Sequence, residues 1–127
     1  MRSSSASAPP TLLLVDDEVH ILSALRRSLR REGYRILAAT GPAEALRLLE
    51  TEPVDAILSD HKMPGHSGLE LLAAAARRRP AAARFVITGW PDAIASERLA
   101  ELWIRALIPK PWDDGELKRT LRLALGR

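Results

Sequence analysis

The chain has 127 residues, 46% apolar and 28% charged, with a formal net charge of +3, which describes one globular domain with a sizeable core. The absence of cysteine excludes disulfide scaffolds, thiolate-bound zinc, iron–sulfur clusters and thiol catalysis. No apolar run approaches the roughly 20 residues of a membrane span, and the opening MRSSSASAPP lacks the apolar stretch of a secretory signal, so a cytoplasmic protein without membrane contact is expected.

Residues 1–10 have little to bury and are expected to form a disordered tail, with the folded domain at 11–127. Thr11 to Val15 is a continuous apolar run that stops at Asp16-Asp17-Glu18, the pattern of a strand covered on both faces. Ile21, Leu22, Leu25 and Leu29 then recur at helical spacing, and Gly33 closes that helix. Ile36–Ala39 is the second strand; Gly41-Pro42 and Glu44 open a helix carrying Ala45, Leu48 and Leu49. Val54–Ser59 is the third strand and runs into Asp60. After the loop HKMPGH, Ser67 and Glu70 form a capping box for a helix with Leu69, Leu72, Ala73 and Ala76. Arg84–Thr88 is the fourth strand, Asp92 to Glu101 a short helix, and Ile104–Ile108 the fifth strand. Asp113 and Glu116 cap a last helix that turns Leu117, Leu121 and Ala124 inward. Five strand–helix units with short connections imply a parallel sheet between helices.

The polar residues fall at one end of this arrangement. Asp16 and Asp17 follow the first strand, Asp60 follows the third, Thr88 ends the fourth and Lys110 follows the fifth. The carboxyl ends of strands in an open parallel sheet line the ligand crevice, so three carboxylates, a hydroxyl and an ammonium converge there. Such carboxylates repel one another and hold protons unless a cation joins them. Neutralising Asp17 is therefore expected to raise the melting temperature of the metal-free protein. Hard oxygen ligands suit Mg²⁺, while Thr88 and Lys110 can serve a tetrahedral anion. The set suits phosphoryl transfer onto a carboxylate, with Asp60 the better acceptor because it stands alone on the central strand.

Duller readings exist for each group. An aspartate ahead of a helix is often only an N-cap, but one cap does not need the three acids of DDE. His20, His61 and His66 have no partners at triad or metal-site spacing. Trp90, Trp103 and Trp112 are too irregular for a base-stacking platform. The arginines at 26, 27, 30 and 31 and at 77–79 fall late in helices, where positive charge complements the dipole, so no direct nucleic-acid contact is expected.

The stretches LLLVDDE (12–18), SDHKMPGHSGLELL (59–72), ITG (87–89) and PKPW (109–112), in this order, resemble the receiver domain of two-component response regulators, of which the chemotaxis regulator is a simple form. The resemblance covers 11–125, and the KPWDD ending is similar to receivers of the hydrogenase-regulator branch. It implies a flavodoxin-like (βα)5 fold, α/β, with a five-stranded parallel sheet in the order 2-1-3-4-5 and helices on both faces. By the same resemblance Asp60 is the phospho-acceptor, Asp17 a direct Mg²⁺ ligand and Asp16 a ligand through water. The backbone carbonyl of Lys62 is a further ligand, Thr88 the switch hydroxyl, and Lys110 the lysine that pairs with the phosphoryl group. The Lys110–Pro111 bond is expected to be cis. The implied partners are a sensor histidine kinase or histidine phosphotransfer protein. An effector or second copy would meet the fourth helix, fifth strand and last helix. Self-phosphorylation from a phosphodonor and autodephosphorylation are the only expected enzymatic acts.

The chain also departs from that pattern. Leu107 stands where active receivers usually carry Tyr, Phe or His, so a conventional aromatic readout is not expected. Pro109 lacks an N–H and stiffens the end of the fifth strand. Lys62 and Trp90 flank the implied site. These departures leave an alternative open, a pseudo-receiver that docks proteins without being phosphorylated. A haloacid-dehalogenase-type phosphatase is less well matched, because Asp60-His61-Lys62 lacks its second aspartate.

Overall fold

The computed structural model describes residues 8–63 and 66–126, with His66 described by its backbone alone. Residues 1–7 of the expected tail, the Pro64–Gly65 pair and Arg127 lie outside the described residues. In chain order, β1 (Thr11–Val15), α1 (Val19–Leu29), β2 (Arg35–Ala39), α2 (Pro42–Thr51) and β3 (Ala56–Asp60) form the first half. Two short strands, β4 (Lys62–Met63) and β5 (His66–Ser67), lead into α3 (Gly68–Arg78). β6 (Ala83–Thr88), α4 (Ser96–Glu101), β7 (Ile104–Pro109) and α5 (Asp114–Leu125) complete the fold.

The main sheet runs β2-β1-β3-β6-β7 and every pairing in it is parallel. Counting only its five strands, this is the expected order 2-1-3-4-5, and the fold is flavodoxin-like. Period-two alternation along fully buried strands builds two cores from the same residues. Leu13, Val15, Ile57 and Val86 face one side, where Leu49 of α2 and Leu71, Leu72 and Ala75 of α3 cover them. Leu12, Leu14, Leu58, Phe85 and Ile87 face the other, against Leu22, Leu25 and Leu29 of α1 and Leu117 and Leu121 of α5. Each such leucine or phenylalanine is worth about 1.5–3 kcal/mol relative to exposure, so the strands that carry the polar crevice sit in the best-buried part of the molecule.

Helix ends follow the local chemistry. Ser67 Oγ accepts the Leu69 N–H and Glu70 Oε1 accepts the Ser67 N–H, both at 3.1 Å, completing the capping box. Asp113 accepts the Glu116 N–H at 2.8 Å, and Pro42 occupies the first turn of α2.

Several boundaries differ from the sequence expectation for identifiable reasons. Asp55 precedes β3, and its carboxylate accepts the Thr11 N–H at 2.7 Å, fastening the start of β1. The expected loop HKMPGH has paired ends, Lys62 opposite Ser67 and Met63 opposite His66. The expected helix from Asp92 to Glu101 is broken into a 3-10 turn at Pro91–Ala93 and the short α4. Ile94, between them, takes an extended backbone and buries its side chain instead. Pro109 is the last residue of β7, opposite Thr88. The Lys110 N–H reaches the Thr88 carbonyl at 2.9 Å, so alternation turns Pro109's missing N–H toward the open edge, where it costs no ladder bond.

One glycine brings β3 and α3 together. A Cβ at Gly68 would stand 1.7 Å from the Asp60 carbonyl oxygen, whereas a Cβ at Gly89 would meet nothing within 4 Å. We predict that Gly68→Ala lowers unfolding free energy by about 2 kcal/mol or more through forced displacement of backbone. Gly89→Ala should change it by roughly 0.5 kcal/mol or less. Urea unfolding of both variants checks the contrast, and equal effects would show that the close approach at Asp60 carries no strain.

Candidate functional site

The chain order reverses between β1 and β3, because β1 connects outward to β2 on one side while β3 lies on the other. That switch point opens a crevice at the carboxyl ends of the strands. Asp16 and Asp17 leave β1 there, Asp60 ends β3, Thr88 ends β6 and Lys110 follows β7. The cleft is about 270 Å³ and is lined by Asp17, Glu18, Asp60, His61, Lys62, Thr88, Gly89, Trp90 and Lys110. A larger hollow of about 490 Å³ lies among Ala8, Pro9, Pro10, Pro53 and Leu125, at the opposite end of the strands. Its one carboxylate, Asp55, is already bonded to Thr11, so the smaller cleft is the chemical one.

Lys110 Nζ lies 2.9 Å from Asp16 Oδ2 and 3.2 Å from Asp60 Oδ1, bridging two carboxylates from different strands. Asp16 is fully buried and its Oδ1 accepts the Glu18 N–H at 2.9 Å. Its Oδ2 faces the ammonium without accepting a well-directed hydrogen bond. Asp17 is exposed on the rim. Carboxylate oxygens of Asp16, Asp17 and Asp60 all fall within 4.8 Å of one another. Neither Asp16 nor Asp60 is spent as a side-chain helix cap: α1 has no such cap and Ser67 caps α3.

Burial pushes the Asp60 carboxyl above the usual carboxylate range, and repulsion from Asp16 adds to it; Lys110 only partly offsets the two. Burial alone would lower the Lys110 ammonium, but its bonds to Asp16 and Asp60 outweigh that and raise it. The ammonium thus stays charged between carboxylates that it cannot fully neutralise. Three carboxylates whose oxygens lie within 4.8 Å of one another, with only Lys110 bridging two of them, offer the hard donor set that fits a small divalent cation such as Mg²⁺.

Thr88 is buried, and its Oγ1 accepts the Trp90 N–H at 3.0 Å, closing a tight turn at the mouth of the cleft. Trp90 is 71% exposed. The Lys62 side chain is exposed on the opposite wall, and the Lys110–Pro111 bond is cis. Leu107 is partly buried against the α2/α3 core. Among the described residues, His20 pairs with Glu18 alone, at 3.1 Å and in solvent, and His61 Nδ1 meets no hydrogen-bond partner. Two contributors had no sequence signal: Gly68, whose need for a missing Cβ depends on a neighbouring strand, and Trp90 as an amide donor to Thr88.

The comparisons agree with this geometry. Residues 12–122 match the family model described as the response regulator receiver domain, and the chain belongs to that family. It is 41% identical over 118 residues to the hydrogenase transcriptional regulatory protein HoxA of Cupriavidus necator, covering 91% of this chain and 24% of that protein. The chain therefore spans about a quarter of the length of such relatives. Among solved structures, the signal receiver domain of an HD domain-containing protein from Pseudomonas fluorescens superposes with a TM-score of 0.89 at 33% identity, covering 99% of this chain and 93% of that one. A receiver domain protein from Methanospirillum hungatei gives 0.84 at 29% identity, with 93% and 94% covered. No described helix is long and apolar enough to cross a membrane.

The raised Asp60 carboxyl has a stability consequence. Its folded form holds a proton more tightly than the unfolded chain, so stability falls as pH rises from the ordinary aspartate value toward the folded one. Because Asp17 is exposed and water screens it, the repulsion falls mainly on Asp60. We predict that Asp60→Asn melts a few degrees above wild type at pH 7 in chelator. The gap should close toward about pH 4, where unfolded aspartates protonate. Thermal melts across pH decide this; a variant less stable than wild type at neutral pH would refute it.

Proposed function

We propose that this receiver, residues 11–127, is a phosphorylation-controlled signalling switch that accepts a phosphoryl group on Asp60. The observation that carries the reading is the Lys110 ammonium held within 3.2 Å of both Asp60 and Asp16 at the switch point of the sheet. The donor is a sensor histidine kinase, a histidine phosphotransfer protein or a small phosphodonor. An Asp60 carboxylate oxygen attacks phosphorus, and the bond to the donor's nitrogen or oxygen breaks, its electron pair leaving with the donor. Later, water attacks the same phosphorus, the P–O bond to Asp60 breaks with its electron pair returning to the carboxylate, and inorganic phosphate leaves carrying the water's oxygen.

The carboxylates of Asp17 and Asp60 and the backbone carbonyl of Lys62, with Asp16 acting through water, would hold Mg²⁺, which would supply neutralisation of the incoming phosphoryl oxygens. Lys110 neutralises the far side of the group, as a point charge already fixed in place. Thr88 donates its hydroxyl to a phosphoryl oxygen, and the turn it shares with Trp90 follows that movement. Lys62 and Trp90 wall the cleft beside the acceptor. Output runs through α4, β7 and α5 to an effector or to a second copy, with the protein acting in the cytoplasm. Leu107 serves there as passive packing, since it has no ring to exchange between buried and exposed positions.

A second reading, the unphosphorylated docking module, draws on Leu107, which packs against the core without an aromatic ring, and on Pro109 at the end of β7. Intact-mass measurement after incubation with acetyl phosphate separates the two. Wild type should gain one phosphoryl group with Mg²⁺ and none in chelator, and Asp60→Asn should gain none. Equal labelling of both proteins moves the acceptor elsewhere, and no labelling of either favours the docking module. With Mg²⁺ and beryllofluoride, amide shifts around residues 88–104 should persist in Leu107→Ala and collapse in Thr88→Ala. Loss of the shifts in a folded Leu107→Ala variant would make Leu107 an active element.

A further inference from the structure

Away from the cleft, one buried cation has no carboxylate. Arg84 is 7% exposed, and its guanidinium is spent on backbone carbonyls. Nε donates to Leu102 at 2.9 Å, and Nη1 donates to Ala82 at 2.9 Å and Pro80 at 3.3 Å. A buried guanidinium is tolerable only where its donors are met, so these carbonyls hold it as firmly as it holds them. Leu102 is the C-cap of α4, whose carbonyl would otherwise be one of the orphans of a helix end. A cation there also faces the negative end of the helix dipole.

The next residue is Trp103, at φ +53°, the left-handed region that glycine usually fills after a helix. A bulky side chain is unfavourable there, and this one is 76% exposed, so its own packing does not hold it in place. The ladder between β6 and β7 is also irregular at this point, pairing Arg84 with Ile104 and Phe85 with Ala106 and leaving Arg105 unmatched. The other end of α4 is tied differently. Its approach from β6 is held by local turns, Ala93 N–H to Trp90 and Ile94 N–H to Pro91, and by the Thr88–Trp90 bond.

We propose that Arg84 is a positioning residue that pins the C-terminal end of α4. Movement begun at Thr88 and Trp90 then pivots α4 about Leu102 and leaves the Trp103 indole where it stands. The pivot rests on the phosphoryl-acceptor reading for what sets the helix moving; the pin does not.

Two measurements on the full chain test the parts separately. The first is amide hydrogen exchange of the unliganded protein. Arg84→Met should speed exchange at Leu102–Ile104 by at least about tenfold relative to Leu12–Leu14 of β1, and Arg84→Lys, which keeps the charge but gathers its donors on one nitrogen, should fall between. Trp103→Gly, relieved of the left-handed penalty, should recover part of the protection lost in Arg84→Met. Unchanged exchange at 102–104 in both Arg84 variants, or a Trp103→Gly effect that simply adds, overturns the pin. The second is indole NMR with Mg²⁺, with and without beryllofluoride. Trp90 should shift and Trp103 should not in wild type, while Trp103 should shift as well in Arg84→Met or Arg84→Lys. A wild-type Trp103 that moves as far as Trp90 overturns the pivot. If neither the indoles nor the amides of Asp60 and Lys110 respond, the acceptor reading fails and takes the pivot with it, whereas the exchange data still judge the pin.

Discussion

A single ammonium, that of Lys110, stands between two carboxylates that a parallel sheet forces side by side. Unit charges about 4 Å apart interact by about 4 kcal/mol at an effective dielectric constant near 20. With Lys110 at 2.9 and 3.2 Å from Asp16 and Asp60, the attraction is large, yet one positive charge faces three carboxylates once Asp17 is counted. The cleft remains net negative and its geometry remains compact. Both properties follow from topology, because only parallel strands deliver all their carboxyl ends to the same side.

That balance needs a stiff frame. Asp16 follows and Asp60 ends a strand whose side chains fill both cores, so neither can withdraw from the other without disturbing Leu14, Val15, Leu58 and their helices. Gly68 lets the first turn of α3 press against the Asp60 carbonyl, where Ser59 Oγ also donates at 3.0 Å. Lys110 is brought in by the Thr88–Lys110 backbone bond at the end of β7. The hydroxyl of Thr88, itself buried at the end of β6, is joined to the exposed turn by the Trp90 N–H.

How much of this could be read from the sequence depends on the range of the interaction. Elements written in short patterns were legible: the apolar run before DDE, the Ser67–Glu70 box and the Asp113 cap. The positions of Asp16, Asp17, Asp60, Thr88 and Lys110 at strand ends were legible too, because alternation of strand and helix fixes which end is which. The split of the helix at Ile94 was not, since it depends on a side chain reaching a core assembled from distant residues. Nor was the division of labour among the acids. Asp16 and Asp17 are adjacent letters, but pleating sends one into the buried ion pair and leaves the other on the rim. Gly68 and Arg84 were missed for the same reason, each being defined by a backbone from another part of the chain.

The arginine excess shows how composition misleads when taken without placement. A chain of net charge +3 with so few lysines invites an electrostatic partner, yet many of its guanidiniums are used internally. Arg79 donates to the carbonyls of Leu49 and Glu52 at 2.8 Å, tying the end of α3 to the end of α2. Arg122 grips Glu32 with two bonds at 2.6 and 2.8 Å, joining α5 to the turn after α1. Arg35 and Arg78 meet Glu52 and Glu50. Solvent-exposed pairs of this kind add little stability singly, but a planar fork with several donors can satisfy two backbone carbonyls at once, which an ammonium does less well. Arg79 and Arg84 do that at the helix ends farthest from the cleft. The fold therefore uses arginine as backbone cement at one end of its sheet and concentrates its carboxylates around one lysine at the other.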